Sequence, residues 1–305
     1  MNALLVRLRR IWFPLALVLV FAPVALFVGV RSARRSAAKQ STAGSGSRLR
    51  VTIINAGHGE AALVRTPSGG VIVIGAGSAE TGDAVVEALQ NAGVKRIDLL
   101  VLPYPFAEAI GGVPSLYDAF AVGSVIEPGG APLNAYLSNA RRLGGEYQTP
   151  WRAASAGETF TVLDDSVRVE ILAPVGQSGL RPPDNSLVVA VRYRETRFLF
   201  AGGIGAAGER RLLSESPNLR ADVLRVARFG AATASTPEFL RQVRPEYIAV
   251  SVGANGDGYP ANTTLNRLRD TGATVFRTDA LGGQSVTFWS DGREVVQEPA
   301  PKAAK

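Results

Sequence analysis

From residue 11 to residue 30 the chain carries no charged or hydrogen-bonding side chain other than a single indole; the positions are apolar, glycine or proline. Twenty such residues span roughly 30 Å as a helix, about one hydrocarbon core. The pattern therefore predicts a transmembrane anchor at 11–30. Pro14 and Pro23 are compatible with it, since membrane helices tolerate proline where freed carbonyls find other partners. The run is long for a cleaved leader, and Arg31, Arg34 and Arg35 follow it in place of a small-residue cleavage site. Residues 1–10 then read as a basic tail, and 31–49, rich in Ser, Ala and Gly, as a flexible linker.

Beyond the linker the pattern becomes one of short β-branched runs bracketed by Gly, Pro, Asn and Asp. They predict strands at 51–55, 61–66, 71–75, 98–102, 124–126, 167–172, 186–193, 197–201, 222–226, 247–251, 274–277 and 285–289. Longer amphipathic runs predict helices at 83–91, 133–143, 207–213, 236–243 and 263–270. A hairpin-rich opening followed by strand-then-helix units suggests two sheets with helices on their outer faces. The domain is expected to span 50–293, with a short disordered tail at 294–305.

Charge changes this picture little. The chain has a net charge of +7, but nine of its Lys and Arg residues and none of its Asp or Glu lie in the first 50 positions. The remainder holds 24 basic against 26 acidic residues, so the domain is near neutral and a strongly basic nucleic-acid groove is not favoured. The basic flanks of the apolar run, Arg7, Arg9 and Arg10 before it and Arg31, Arg34, Arg35 and Lys39 after it, are nearly balanced. The membrane side of the domain therefore stays open. Cysteine is absent, which excludes disulfides, thiolate metal sites and a thiol nucleophile.

Two stretches carry a family likeness. Asn55-Ala56-Gly57-His58-Gly59-Glu60-Ala61 is followed by Thr66-Pro67-Ser68-Gly69, and 99–102 runs into Pro103-Tyr104-Pro105-Phe106-Ala107-Glu108-Ala109-Ile110-Gly111-Gly112. Asn185-Ser186, Phe198-Leu199-Phe200-Ala201-Gly202-Gly203, the segment from Ala221 to Leu240, Arg244-Pro245 and Ser251-Val252-Gly253 continue it in order. In these features the chain resembles the soluble domain of ComEC-type competence proteins, members of the metallo-β-lactamase superfamily. The resemblance implies an α/β (α+β) four-layer αββα sandwich, preceded here by one transmembrane helix. It also implies a DNA-uptake-related role and a dinuclear metal site, whose ions would lower the pKa of a bound water and clamp a transition state.

The donors for that chemistry are replaced. Tyr104, Phe106 and Ala109 stand where the family has histidines, Glu108 and Gly203 where it has Asp, Arg228 and Phe229 at its His-His pair, and Tyr259 at a later His. Gly75 also replaces an Asp. No catalytic residue, metal or cofactor is therefore expected, and the single histidine, His58, reads as a turn residue. Glu60, Glu108 and Asp184 offer oxygen ligands for Mg²⁺ or Ca²⁺ but without a typical loop spacing. A rival reading is dinucleotide binding through Gly203-Ile204-Gly205-Ala206-Ala207-Gly208, with Asp222 some way beyond. The expectation is a membrane-anchored pseudo-hydrolase acting as a binding or structural module for an unidentified protein partner. A metal-dependent hydrolase with a non-standard site and a nucleic-acid-handling protein are the alternatives.

Overall fold

Every apolar residue of Val71–Ile74 is buried, which a strand achieves only when both of its faces are covered. In the computed structural model, which describes residues 48–130, 134–174, 182–216 and 218–299, that covering comes from a second sheet on one side and helices on the other. Among the described residues the elements are, in order, β1 (Leu49–Ile53), β2 (Ala62–Arg65), β3 (Val71–Ile74), α1 (Gly82–Asn91), β4 (Arg96–Ile97), β5 (Leu99–Val101), α2 (Ala107–Ile110), α3 (Val113–Ala119), β6 (Ala121–Val122), β7 (Val125–Glu127), α4 (Ala135–Glu146), β8 (Trp151–Ala153), β9 (Thr159–Val162) and β10 (Asp164–Ala173). The second half adds β11 (Val188–Tyr193), β12 (Thr196–Phe200), α5 (Ala206–Glu215), β13 (Val223–Arg225), α6 (Pro237–Val243), β14 (Tyr247–Val250), α7 (Asn262–Asp270), β15 (Thr274–Arg277), β16 (Val286–Ser290) and β17 (Val295–Gln297).

Two large sheets result, with strand orders β17-β16-β1-β2-β3-β5-β7-β8 and β15-β14-β13-β12-β11-β10-β9. In each, an antiparallel meander passes into a parallel run, β3-β5-β7-β8 in one and β12-β13-β14-β15 in the other. Alternation does the sorting. Val51, Ile72 and Val101 from the first sheet meet Val169, Val191 and Phe198 from the second in one core. Residues of opposite parity, such as Val73 and Leu100, pack on Val85 and Leu89 of α1 and Leu116 of α3. Leu199 and Leu224 pack likewise on Leu212 of α5 and Leu240 of α6. The layering is helix, sheet, sheet, helix, as expected.

Boundaries differ in detail. The first strand begins at Leu49, inside the expected linker, and β17 pairs with β16 through Trp289↔Val296, so the fold extends past residue 293 into the expected tail. The 133–143 helix runs over Ala135–Glu146 with Asn134 as its cap, the side chain accepting from the Leu137 amide at 3.0 Å. The expected anchor at 11–30 and the tail at 1–10 lie outside the described residues. Among the described residues no helix is long and apolar enough to cross a membrane.

Candidate functional site

Six loops meet at one hollow. It has a volume of about 430 Å³ and is lined by His58, Tyr104, Phe106, Glu108, Pro183, Gly203, Arg228, Phe229, Asp257 and Tyr259. The loop after β1 supplies His58, that after β5 Tyr104 to Glu108, the residues leading into β11 Pro183, and the loops after β12, β13 and β14 supply Gly203, the Arg228-Phe229 pair, and Asp257 with Tyr259. Tyr104, Phe106, Phe229 and Tyr259 thus share one neighbourhood, despite their separation in sequence. Ala109 does not join them. It is fully buried, and its carbonyl accepts from the Ala76 amide at 2.7 Å.

Aromatic rings form two walls. His58 packs on Phe229 at 4.3 Å between ring centroids, and both lie about 6 Å from Tyr259, at 6.1 and 6.2 Å. Tyr104 and Phe106 pair at 6.2 Å. Such contacts are favourable beyond the area they bury, so the loops are held by apolar packing. His58 is thereby more than a turn residue. Its Nε2 lies 3.7 Å from Asp257, while its buried Nδ1 has no hydrogen-bond partner among the described residues. The sequence signal for its involvement was weak: one histidine in a Gly-rich turn.

Beneath Tyr104 lies a buried ion pair. Arg225, the last residue of β13, approaches Glu60 to 2.5 Å, with both side chains 3% exposed. Neither partner's facing atoms make a well-aligned hydrogen bond, so attraction between full charges has to offset most of the desolvation cost. Burial, reinforced by the Glu60 charge, pushes the Tyr104 hydroxyl well above its ordinary pKa, so it remains a neutral phenol. Burial also raises the Glu108 carboxyl, again with Glu60 adding to the effect.

The backbone allows no simple return of the replaced carboxylates. Gly75 has φ +76°, and a β-carbon on it would stand 2.2 Å from the Glu60 carbonyl oxygen. A β-carbon on Gly203 would meet Pro183 at 2.8 Å, the Ser186 hydroxyl at 2.9 Å and the Tyr104 ring at 3.0 Å. The side chains present do not fit a dinuclear metal centre. Among the described residues no group of three or more His, Cys, Asp or Glu could hold an ion. Glu60 is spent on Arg225, so Glu60, Glu108 and Asp184 do not assemble the oxygen-only site considered from the sequence.

The Gly203–Gly208 turn does join β12, through α5, to the parallel strand β13. The place a pyrophosphate would take at the α5 N-terminus is already filled. Asp184 Oδ1 accepts from the amides of Gly205 at 2.6 Å and Gly208 at 3.3 Å, supplying the negative charge that a helix N-terminus favours. With those amides taken by Asp184, the turn does not offer the anion site a dinucleotide needs. The glycine at 208 answers instead to close packing, since a β-carbon there would stand 2.7 Å from that of Ile204.

No family model matches the chain. It is 30% identical over 237 residues to Competence protein ComA of Neisseria gonorrhoeae, covering 76% of this chain and 31% of that one. It is 23% identical over 199 residues to ComE operon protein 3 of Bacillus subtilis, covering 65% and 25%. The chain therefore spans a third or less of the length of these relatives. Among solved structures, the diiron β-hydroxylase CmlA of Streptomyces venezuelae superposes with a TM-score of 0.52 at 16% identity, over 79% of this chain and 54% of that one. The metallo-β-lactamase fold protein YhfI of Bacillus subtilis gives 0.51 at 10% identity, over 78% and 98%. Likeness at these identities speaks to fold alone.

Proposed function

We propose, for a chain whose folded part is a metallo-β-lactamase-superfamily domain resembling the ComEC-type competence proteins, that the hollow binds a ligand and does not hydrolyse one. One observation carries the reading: where the resemblance places metal ligands, the hollow presents aromatic rings, an arginine and a glycine whose vacant β-position is closed off by Pro183, Ser186 and Tyr104. Hydrolysis at a dinuclear site needs imidazoles and carboxylates that hold ions and activate water. Neither Phe106 nor Phe229 can ligate, and Arg228 repels a cation. The expected result is that the full-length chain, supplied with zinc or manganese, shows no chelator-sensitive cleavage of phosphodiesters. Cleavage that EDTA abolishes would overturn the reading.

The same proposal makes the chain a membrane-anchored relative, held by residues 11–30. The apolar run and its arginine flanks support this. Carbonate washing of native membranes should leave the whole chain in the pellet, and release of a shortened soluble form would contradict it.

A role in DNA handling is a second reading, favoured by the competence proteins among the relatives and by one surface feature. Arg168, Arg192 and Arg197 sit directly opposite one another across β10, β11 and β12, a row partly offset by Glu170 of β10, which lies 2.9 Å from Arg197 and 3.9 Å from Arg192. Affinity for DNA falling steeply with salt would support it, and no binding at low salt would remove it.

A further inference from the structure

Arg228 is a residue of the hollow whose presence the packing does not explain. It is half-buried, and its guanidinium makes no hydrogen bond or ion pair with any described residue. Its backbone is unusual as well. Arg228, Phe229 and Gly230 are three successive residues in the left-handed region, with φ of 49°, 56° and 81°. An arginine and a phenylalanine adopt that conformation at a cost that surrounding structure has to hold in place. Here the Arg228 carbonyl accepts from Ala231 and the Gly230 carbonyl from Ala261, each at 2.9 Å. The result is a fixed loop that delivers a guanidinium to the hollow while seating Phe229 against His58.

The nearby carboxylates do not use this cation. Asp184 is committed to the amides of α5. Asp257 lies at the outer rim, its side chain 65% exposed beside His58. Glu108 feels the Arg228 charge but makes no bond with it, and its burial favours the neutral carboxyl. A forked, weakly hydrated cation beside aromatic walls is an arrangement suited to an oxyanion carried on a flat ring: the guanidinium takes the charged oxygens in two parallel bonds and the ring stacks on the walls. About 430 Å³ is room for a small molecule, within the range of roughly 300–1,000 Å³ typical of ligand pockets.

We infer that the hollow is a binding site for a small aryl oxyanion, a carboxylate or phosphate on an aromatic ring, with Arg228 as the anion-pairing residue and the partly exposed His58, Phe106 and Tyr259 rings as the stacking walls, backed by the buried Phe229 and Tyr104. The inference rests on the binding reading given above and supplies its ligand class. A quaternary ammonium in an aromatic cage, the other ligand such walls could take, is disfavoured because Arg228 would share its space.

The chain contains one histidine, and it lies in the hollow, so its imidazole resonance reports on this site alone. The experiment follows that resonance in the full-length protein during titration with phenyl phosphate, benzoate, inorganic phosphate and phenyltrimethylammonium. Phenyl phosphate and benzoate are expected to shift it saturably, with the balance between them separating phosphate from carboxylate as the preferred group. Inorganic phosphate, lacking the ring, should bind roughly tenfold more weakly or worse, and the ammonium should not bind.

Arg228→Asn removes the guanidinium while placing a residue that tolerates positive φ, so the fold should persist. Its aryl affinity should fall roughly tenfold or more, the scale of a charge-assisted bond. Phe106→Leu should weaken both aryl ligands and leave inorganic phosphate unchanged. The proposal is overturned if neither aryl anion gives a saturable shift, if Arg228→Asn binds them as the parent does, or if the ammonium binds more tightly than the anions. Metal-dependent hydrolysis would instead strike at the non-hydrolytic reading, and it is detected by a separate assay.

Discussion

The Cδ1 atom of Tyr104 lies 3.0 Å from the point that a β-carbon on Gly203 would occupy. The two positions are therefore coupled: the ring stands at the edge of the room that a larger residue at 203 would need, just beyond Pro183 and Ser186. Gly203→Asp is expected to destabilise the domain by about 1–3 kcal/mol, the range for overpacking a filled site. Part of that cost should vanish in a Tyr104→Ala background, with Pro183 and Ser186 accounting for what remains. Urea denaturation of the two single variants and the double variant measures the coupling, and simple additivity would show that the ring is not the obstacle.

Glu60 and Arg225 form a buried pair whose members depend on each other. Removing either alone, by Glu60→Met or Arg225→Met, should cost about 3–5 kcal/mol, because an uncompensated charge stays behind. The double variant should be no less stable than the worse single one. A strictly additive loss would mean that the pair contributes shape and not charge compensation.

Glu108 provides a pH signature. Its carboxyl is raised above the ordinary range chiefly by burial and further by Glu60, against a backbone hydrogen bond and the smaller effects of His58 and Arg228. A carboxylate with a raised folded-state pKa disfavours the folded state once it ionises, so its penalty is absent below the unfolded value of about 4.3 and complete above the folded value. Glu108→Gln should therefore be more stable than the parent at neutral pH, and the difference should shrink to nothing as pH falls to about 4. A difference independent of pH would remove the electrostatic explanation.

The fold was legible where burial on two faces enforces an apolar run. Val71–Ile74 and Val188–Tyr193 announce themselves as covered strands. The edge strands escaped for the converse reason: Trp151–Ala153 and Thr159–Val162 are largely exposed, so their composition is mixed. The short helices Ala107–Ile110 and Val113–Ala119 escaped because one is a single turn and the other opens on Pro114, which fits the first turn of a helix but reads locally as a breaker. The aromatic replacements in the hollow could be placed because framework residues fix the loops that bear them. Arg225 and Asp257 could not, since nothing local marks an arginine at a strand end as the partner of Glu60, or a loop aspartate as the neighbour of His58.

If aromatic packing and the Glu60–Arg225 pair hold together what metal ions would otherwise bridge, the folded chain needs no metal. Elemental analysis of the full-length chain, purified without chelator from cells grown with ample zinc, iron and manganese, tests it most directly. The expected result is far less than one metal per chain, and a melting temperature that EDTA does not change. One or more metals per chain, lost together with stability on chelation, would contradict it.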